Sequence, residues 1–192
     1  TQPFSIDTPG GSVTLQDAFA TNRSIGGAID VVRGTFDANT YNITLFGANS
    51  SFASSYSNAR TIALGSGLMS IAGTSGFVAT TATNLTVTGT GTISLTSASA
   101  KTFAGGGLSY SGITLNQDGA GQLNITGNNT FGNITNTYNA TGATTINFAA
   151  TSTTVSQFTA AGTAAKLLTL QGTSAAAPAT LIYSGGGNVN VE

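Results

Sequence analysis

Asp30 and Asp37 stand seven residues apart with Arg33 between them, the one close pair among six carboxylates: Asp7, Asp17, Asp30, Asp37, Asp118 and Glu192. Two acids converging on a groove are the minimum for cleaving a polysaccharide, one giving a proton and the other acting as base or nucleophile. Acids flanking an arginine near a domain boundary read better as surface charge. The chain has no His and no Cys. Imidazole-based nucleophile pairs, thiol catalysis and transition-metal clusters therefore lack their residues. The expectation is a protein that is not an enzyme, with no catalytic, cofactor-binding or metal-ligating residues and no cofactor.

Other motifs have plainer readings. Gly105-Gly106-Gly107 and Gly185-Gly186-Gly187 lack the aspartate that calcium-binding solenoid repeats require, so they read as tight turns. No Lys and no helix follow Gly89-Thr90-Gly91, so it is not a phosphate loop. Thr86, Thr88, Thr90 and Thr92 share one parity and would line one side of an extended segment. Such an array orders water or binds ice only if neighbouring coils repeat it, and the sequence does not repeat it. Asn42-Ile43-Thr44, Asn84-Leu85-Thr86 and Asn133-Ile134-Thr135 match the glycan-acceptor triplet, and in so Asn- and Thr-rich a chain they read as products of composition. Tyr41, Tyr56, Tyr110, Tyr138 and Tyr183 are the residues able to stack on a sugar; half-buried strand positions are the commoner use of such tyrosines.

The framework that must carry these residues is unusual in charge. Only 6% of the 192 residues are charged, against about 25% in ordinary soluble domains. The five cations Arg23, Arg33, Arg60, Lys101 and Lys166 are scattered, and the net charge is −1, so no basic field draws in nucleic acid. No apolar run approaches the ~20 residues of a membrane-spanning helix. With 40% apolar residues and ten Phe, the chain has the material for a core and is expected to fold.

Short alternating runs separated by Gly, Asn, Ser and Thr read as strands, among them Tyr41–Leu45, Thr61–Leu64, Leu68–Ile71, Leu85–Thr88, Thr92–Leu95, Leu123–Ile125, Thr145–Phe148 and Leu181–Tyr183. Leu15–Ala20 and the stretch from Ala160 to Lys166 are the only helix candidates. Ile62, Leu85 and Leu108 follow one another at 23 residues, as do Ile125 and Phe148, and Phe148 precedes Leu170 by 22. Thr-Phe recurs in Gly34-Thr35-Phe36, Lys101-Thr102-Phe103 and Asn129-Thr130-Phe131. A period in the low twenties predicts stacked coils. The expected fold is an all-β parallel β-solenoid of roughly seven coils over residues 33–192, open to continuation beyond the C-terminus. Residues 1–32 fit the period poorly and are expected to form an N-terminal arm or cap. The alternative is an antiparallel β-sandwich or jelly roll, suggested by the hairpin-like Ile113–Ile125 segment centred on Asp118-Gly119. Thr1 is not an initiator Met, and the strand-like Val189-Asn190-Val191 run stops at Glu192; the expectation is a processed product or a piece of a longer protein.

Residues 101–137, KTFAGGGLSYSGITLNQDGAGQLNITGNNTFGNITNT, carry a resemblance, and GTFDANTYNITL with SNARTIALGSG upstream forms a companion coil. These repeats resemble those of Gly/Thr/Asn-rich β-solenoid surface proteins, as in bacteriophage tail-fibre and capsid-surface proteins and secreted bacterial adhesins. The likeness spans roughly residues 34–175 and brings no functional residue with it. It implies an extracellular setting, at a virion surface or a bacterial cell surface. The function expected is that of a non-catalytic structural protein, a fibre, filament or capsid-decoration subunit. Its first partner would be itself, as a homo-oligomeric trimer or filament, with other virion or surface proteins next. The second reading is a carbohydrate-binding adhesin or receptor-binding module that meets a host-surface glycan. Neither nucleic acid nor membrane insertion is expected.

Overall fold

A computed structural model describes residues 2–23, 27–138, 141–149, 152–172 and 178–185. The described residues contain no α-helix, and their 18 strands wind as a parallel β-solenoid of about seven turns. Three faces repeat. The first carries β3 (Ile29–Asp37) by its opening residues, then β5 (Ser51–Ala53), β8 (Gly76–Val78), β11 (Lys101–Ala104), β13 (Leu123–Thr126), β15 (Thr144–Phe148) and β17 (Leu168–Gly172). The second carries the rest of β3, then β6 (Arg60–Ala63) and β9 (Leu85–Thr88). The third carries β2 (Phe19–Thr21), β4 (Ile43–Leu45), β7 (Leu68–Ile71) and β10 (Thr92–Leu95).

From the fifth winding on, one long strand does the work of two. β12 (Ser109–Gln117), β14 (Thr130–Asn136) and β16 (Ser152–Phe158) continue the third face, and β18 (Thr180–Tyr183) follows on β16. The opening of β12 lies against β9, and an irregularity between Tyr110 and Thr114 carries the strand from one face to the next. Every ladder between these strands is parallel, from β3 and β5 to β16 and β18. Among the described residues, antiparallel pairing is confined to one isolated bridge, Thr163 to Lys166, at a corner. The Asp118-Gly119 segment is accordingly a corner and not a hairpin: β12 and β13 lie in different sheets. This replaces the sandwich alternative.

Within the stretch expected to form an N-terminal arm or cap, β1 (Phe4–Thr14) pairs in parallel with β3, and β2 pairs with β4, so these strands add a winding to the stack. Its poor fit to the period has a local cause, because register shifts after Ile6 and Asp7 let Thr8–Gly11 bulge from the ladder. Both helix candidates are also replaced. Asp17 accepts a hydrogen bond from the Ala18 N–H at 2.7 Å in a turn, and Phe19 enters β2, where it stacks on Ile43. Ala160–Lys166 turns the corner between β16 and β17, closed by reciprocal Thr163 and Lys166 backbone bonds of 3.0 Å.

The interior consists of columns in which each inward residue sits on its counterpart one winding away. One column runs Phe4, Ile29, Phe52, Phe77, Phe103, Ile125, Phe148 and Gly172. Steps within it range from 22 residues (Phe103 to Ile125) to 26 (Phe77 to Phe103). The Phe52 and Phe77 rings are stacked at 5.4 Å, and Phe77 and Phe103 at 5.0 Å. Tyr110 meets Phe103 edge-on at 5.1 Å and stacks with Phe131 at 5.6 Å. Phe103 and Phe131 are 28 residues apart because they belong to different faces; the true counterpart of Phe103 is Ile125. Likewise Ile62 sits on Val87, not on Leu85. Corners are tight enough to demand glycine: a Cβ on Gly65, whose φ is +59°, would lie 1.3 Å from the Asn39 carbonyl oxygen.

Phe77 touches three aromatic rings and is fully buried. Replacing it with Ala removes the ring and opens a cavity that the rigid columns cannot close. Phe77→Ala is expected to cost about 3–5 kcal/mol in urea denaturation, whereas exposed Thr88→Ala stays within about 0.5 kcal/mol.

Candidate functional site

Asp30 and Asp37, the close pair in sequence, do not converge. β3 turns from the first face to the second at Gly34, whose φ is +87°, so Asp30 and Asp37 end on different faces. Asp37 accepts from the Asn39 N–H at 2.7 Å. Asp30 accepts from the Tyr56 hydroxyl at 2.6 Å. Arg33, expected between two acids, instead forms an ion pair with Asp7 of the preceding winding, through Nε and through Nη2 at 3.3 Å. Asp118 accepts from Ser94 Oγ at 3.2 Å and Thr137 Oγ1 at 2.8 Å. Glu192, Val189–Val191, Gly186 and Gly187 lie outside the described residues.

Asp7, Asp30, Arg33 and Tyr56 make up a charged patch on the described surface. The Arg33 hydrogen bond holds the Asp7 carboxyl below the usual carboxylate range, and Asp7 in turn raises Arg33. The Asp30 hydrogen bond, then burial and the negative field of Asp30 and Asp7, push the Tyr56 phenol up. Tyr56 is the most exposed of the tyrosines described, at 36%. Tyr110 is buried, and its hydroxyl donates to the Gly105 carbonyl at 2.9 Å. Tyr41, Tyr138 and Tyr183 are half-buried.

The threonines do not form one flat array. Thr86 and Thr88 lie on β9, and Thr92 lies on β10 beyond the Gly89–Gly91 corner. Register does align Thr35, Thr61 and Thr86 in one outward column, but the next column reads Asp37, Ala63, Thr88. The asparagines of the three triplets each serve a neighbouring winding. Asn42 accepts from the Leu68 N–H, Asn84 donates to the Ser57 carbonyl, and Asn133 donates to Thr159 Oγ1.

Sequence reasoning did not single out two buried cations. Arg60 and Lys101 both occupy inward positions at the start of a strand, immediately after a corner. Arg60 donates to Ser54 Oγ at 2.7 Å and to the carbonyls of Asn58, Thr81 and Thr83. Lys101 Nζ donates to the carbonyls of Ser97 (3.1 Å), Gly119 (3.3 Å) and Gly121 (2.6 Å). Gln117 Nε2 donates to two of those same carbonyls. Each cation therefore ties the corner of its own winding to the corner of the next, satisfying carbonyls that the turn leaves without ladder partners. The signal was present: Lys101 shares the parity of Phe103 and must point inward with it.

Hollows also open on the described surface. A groove of about 320 Å³ opens where β12 departs from β9, lined by Val87, Gly89, Tyr110 and Gly112 among others. A second, of about 210 Å³, sits at the C-terminal end of the stack against Phe148, Leu170, Gly172 and Leu181. The described residues hold no group of three or more acids suited to a metal ion. Among known families, curated proteins and solved structures, none matches this chain.

Burial lowers the Lys101 ammonium to about 8 from its ordinary 10.5, while Asp118 opposes the shift. Between those two values the unfolded chain binds more protons than the folded one, so stability rises with pH there. Below pH 8 both states are protonated and the contribution is flat. Urea midpoints are expected to climb from about pH 8 toward pH 10 in the wild type, and Lys101→Met is expected to lose that climb.

Proposed function

We propose that this protein is a non-catalytic structural module of a virion or cell surface, a fibre, filament or decoration subunit that assembles with copies of itself. The observation that carries the reading is a parallel stack in which, among the described residues, β1 and β2 at one end and β17 and β18 at the other have ladder partners on one side only. Such edges recruit further strands unless covered. Apolar side chains accompany them, with Phe4 39% exposed at the first end and Leu168, Leu170 and Leu181 half-buried at the last.

The wall between the ends supports the same reading. Its outward columns consist mainly of small polar residues, such as Thr102, Asn124, Asn147 and Gln171 on the first face. The sparse charge keeps long-range repulsion between neighbouring copies small. An extracellular setting follows from the likeness of the repeats to surface solenoids.

A second reading has one specific observation in its favour. Tyr56 presents an exposed ring with its hydroxyl held by Asp30, beside the Arg33–Asp7 pair. An aromatic face next to fixed hydrogen-bonding groups is the usual recipe for holding a sugar ring.

The first reading predicts concentration-dependent association in sedimentation velocity and elongated particles in negative-stain electron microscopy; a single monomeric species at every concentration would defeat it. For the second, a glycan array probed with the wild type should show binding that Tyr56→Ala loses while keeping its thermal unfolding midpoint. Binding unaffected by Tyr56→Ala would remove this patch as the sugar site.

A further inference from the structure

The second face is interrupted in the middle of the stack. It carries β3, β6 and β9, and there its ladder stops. β9 pairs with β6 on one side, and among the described residues no ladder joins its other side to β12, although the opening of β12 lies next along that face. Residues 77–138, which surround the break, are all described. Strand alternation shows which backbone groups face it. The Arg60 and Leu64 N–H groups donate to the Asn84 and Thr88 carbonyls at 2.9 Å, so the even-numbered residues of β9 point at β6. Successive residues of a strand in a parallel ladder turn their N–H and C=O to opposite sides, which aims those of Val87 away from β6. On the far wall the Thr130 N–H donates to the Leu108 carbonyl at 3.1 Å. Leu108 therefore serves β14, and the main chain of Ser109 faces β9. The 320 Å³ groove lies between these two edges. A Cβ on Gly112 would sit 2.3 Å from the Gly89 carbonyl oxygen, so the edges touch at that corner and splay from it toward Val87 and Ser109. Val87 is half-buried, Thr88 and Ser109 are exposed, and no charged side chain is among the described lining. β9 carries neither the charge nor the proline nor the bulge that commonly guards an open edge.

We propose that this break is a strand-addition site, where β9 receives an uncharged extended segment of another protein as a further rung of the second face. Such addition draws its affinity from main-chain hydrogen bonds and its specificity from alternate side chains. The inward column of this face reads Phe36, Ile62 and Val87, so an apolar β-branched or aromatic residue suits the position over Val87. A charged residue there would lose its hydration with no partner on the groove wall. The recess admits a lone strand and excludes a second copy, because a copy's own β9 lies under its own β12 and two such edges cannot meet. The site stands whether or not copies of this chain assemble.

The probe is a synthetic peptide with the sequence of residues 84–90 and blocked termini, which would follow β9 as β9 follows β6. In amide hydrogen exchange of the full chain, followed by nuclear magnetic resonance, Val87 should exchange freely while Thr86 and Thr88 are protected. The peptide should slow Val87 and shift the Val87 and Ser109 amide resonances saturably. Val87→Pro deletes the N–H that faces the groove and spares the β6 ladder, the placement in which edge strands admit proline. It should weaken the peptide by about tenfold. Ser109→Pro, which removes a donor from the opposite wall, takes its place if Val87→Pro lacks the wild-type circular dichroism and cooperative melt. The same peptide with its three threonines replaced by proline should not bind. A Val87 amide as protected as Thr86 would overturn the proposal, as would a peptide that leaves both resonances unmoved at millimolar concentration. Peptide binding that neither proline variant weakens would overturn it as well. Glycan-array binding lost in Val87→Pro, with no peptide binding, would make the groove a sugar site instead. Self-association lost in that variant would make the occupant a second copy, and both results exclude a strand from another protein.

Discussion

Parallel stacking in register is the constraint from which the rest follows. Once each winding lies directly on the one before, an inward position can hold only what fits between its two neighbours in the column. Ring-on-ring contacts at 5.0–5.4 Å along Phe52, Phe77 and Phe103 satisfy that condition. The same stacking dictates the corners. There the backbones of successive windings come so close that a Cβ at Gly65, Gly73 or Gly121 would strike the carbonyl or backbone below. Glycine content, aromatic columns and the near absence of charge are three consequences of one geometry.

A stack of this kind has a recurring difficulty at its corners, where carbonyls leave the ladder and are buried with no amide to receive. The chain answers with long polar side chains sent outward from interior positions. Arg60 serves the corner before β6 together with the corner one winding on, and Lys101 with Gln117 serves the corner before β11 and its successor. Asn129 does similar work on a smaller scale, accepting from the Gly107 N–H and donating to the Thr126 carbonyl. Two of only five cations are thus absorbed by architecture. A third, Arg33, ties the first winding to the second through Asp7. Charge in this protein mostly connects windings.

The periodic part of this arrangement was legible before the coordinates. Alternation marked the strands, and spacing in the low twenties implied stacked coils, because inward residues must recur once per winding. What the spacing left open was which winding carries the longer corner. The windings differ by up to four residues, so Ile62 was aligned with Leu85 instead of Val87, and Thr-Phe phrases from different faces looked like one repeat. The first winding fits the period poorly because the Thr8–Gly11 bulge shifts its phase. Of the candidate site, the tyrosines and acids could be named but not placed. No local pattern reveals that β3 bends between Asp30 and Asp37, or that Asp7 reaches Arg33 across a ladder.

By itself the sequence determined the class of fold and the shortage of reactive groups, because alternation, spacing and residue types are local properties that survive without coordinates. Only the tertiary structure decided which residues share a column, since that depends on the length of every corner summed along the chain. It also decided that Lys101 and Arg60 are buried braces and not surface charges. And it decided that one interior column runs from Phe4 by way of Phe77 and Phe103 to Phe148. Those outcomes belong to the register between windings, which no single stretch of sequence contains.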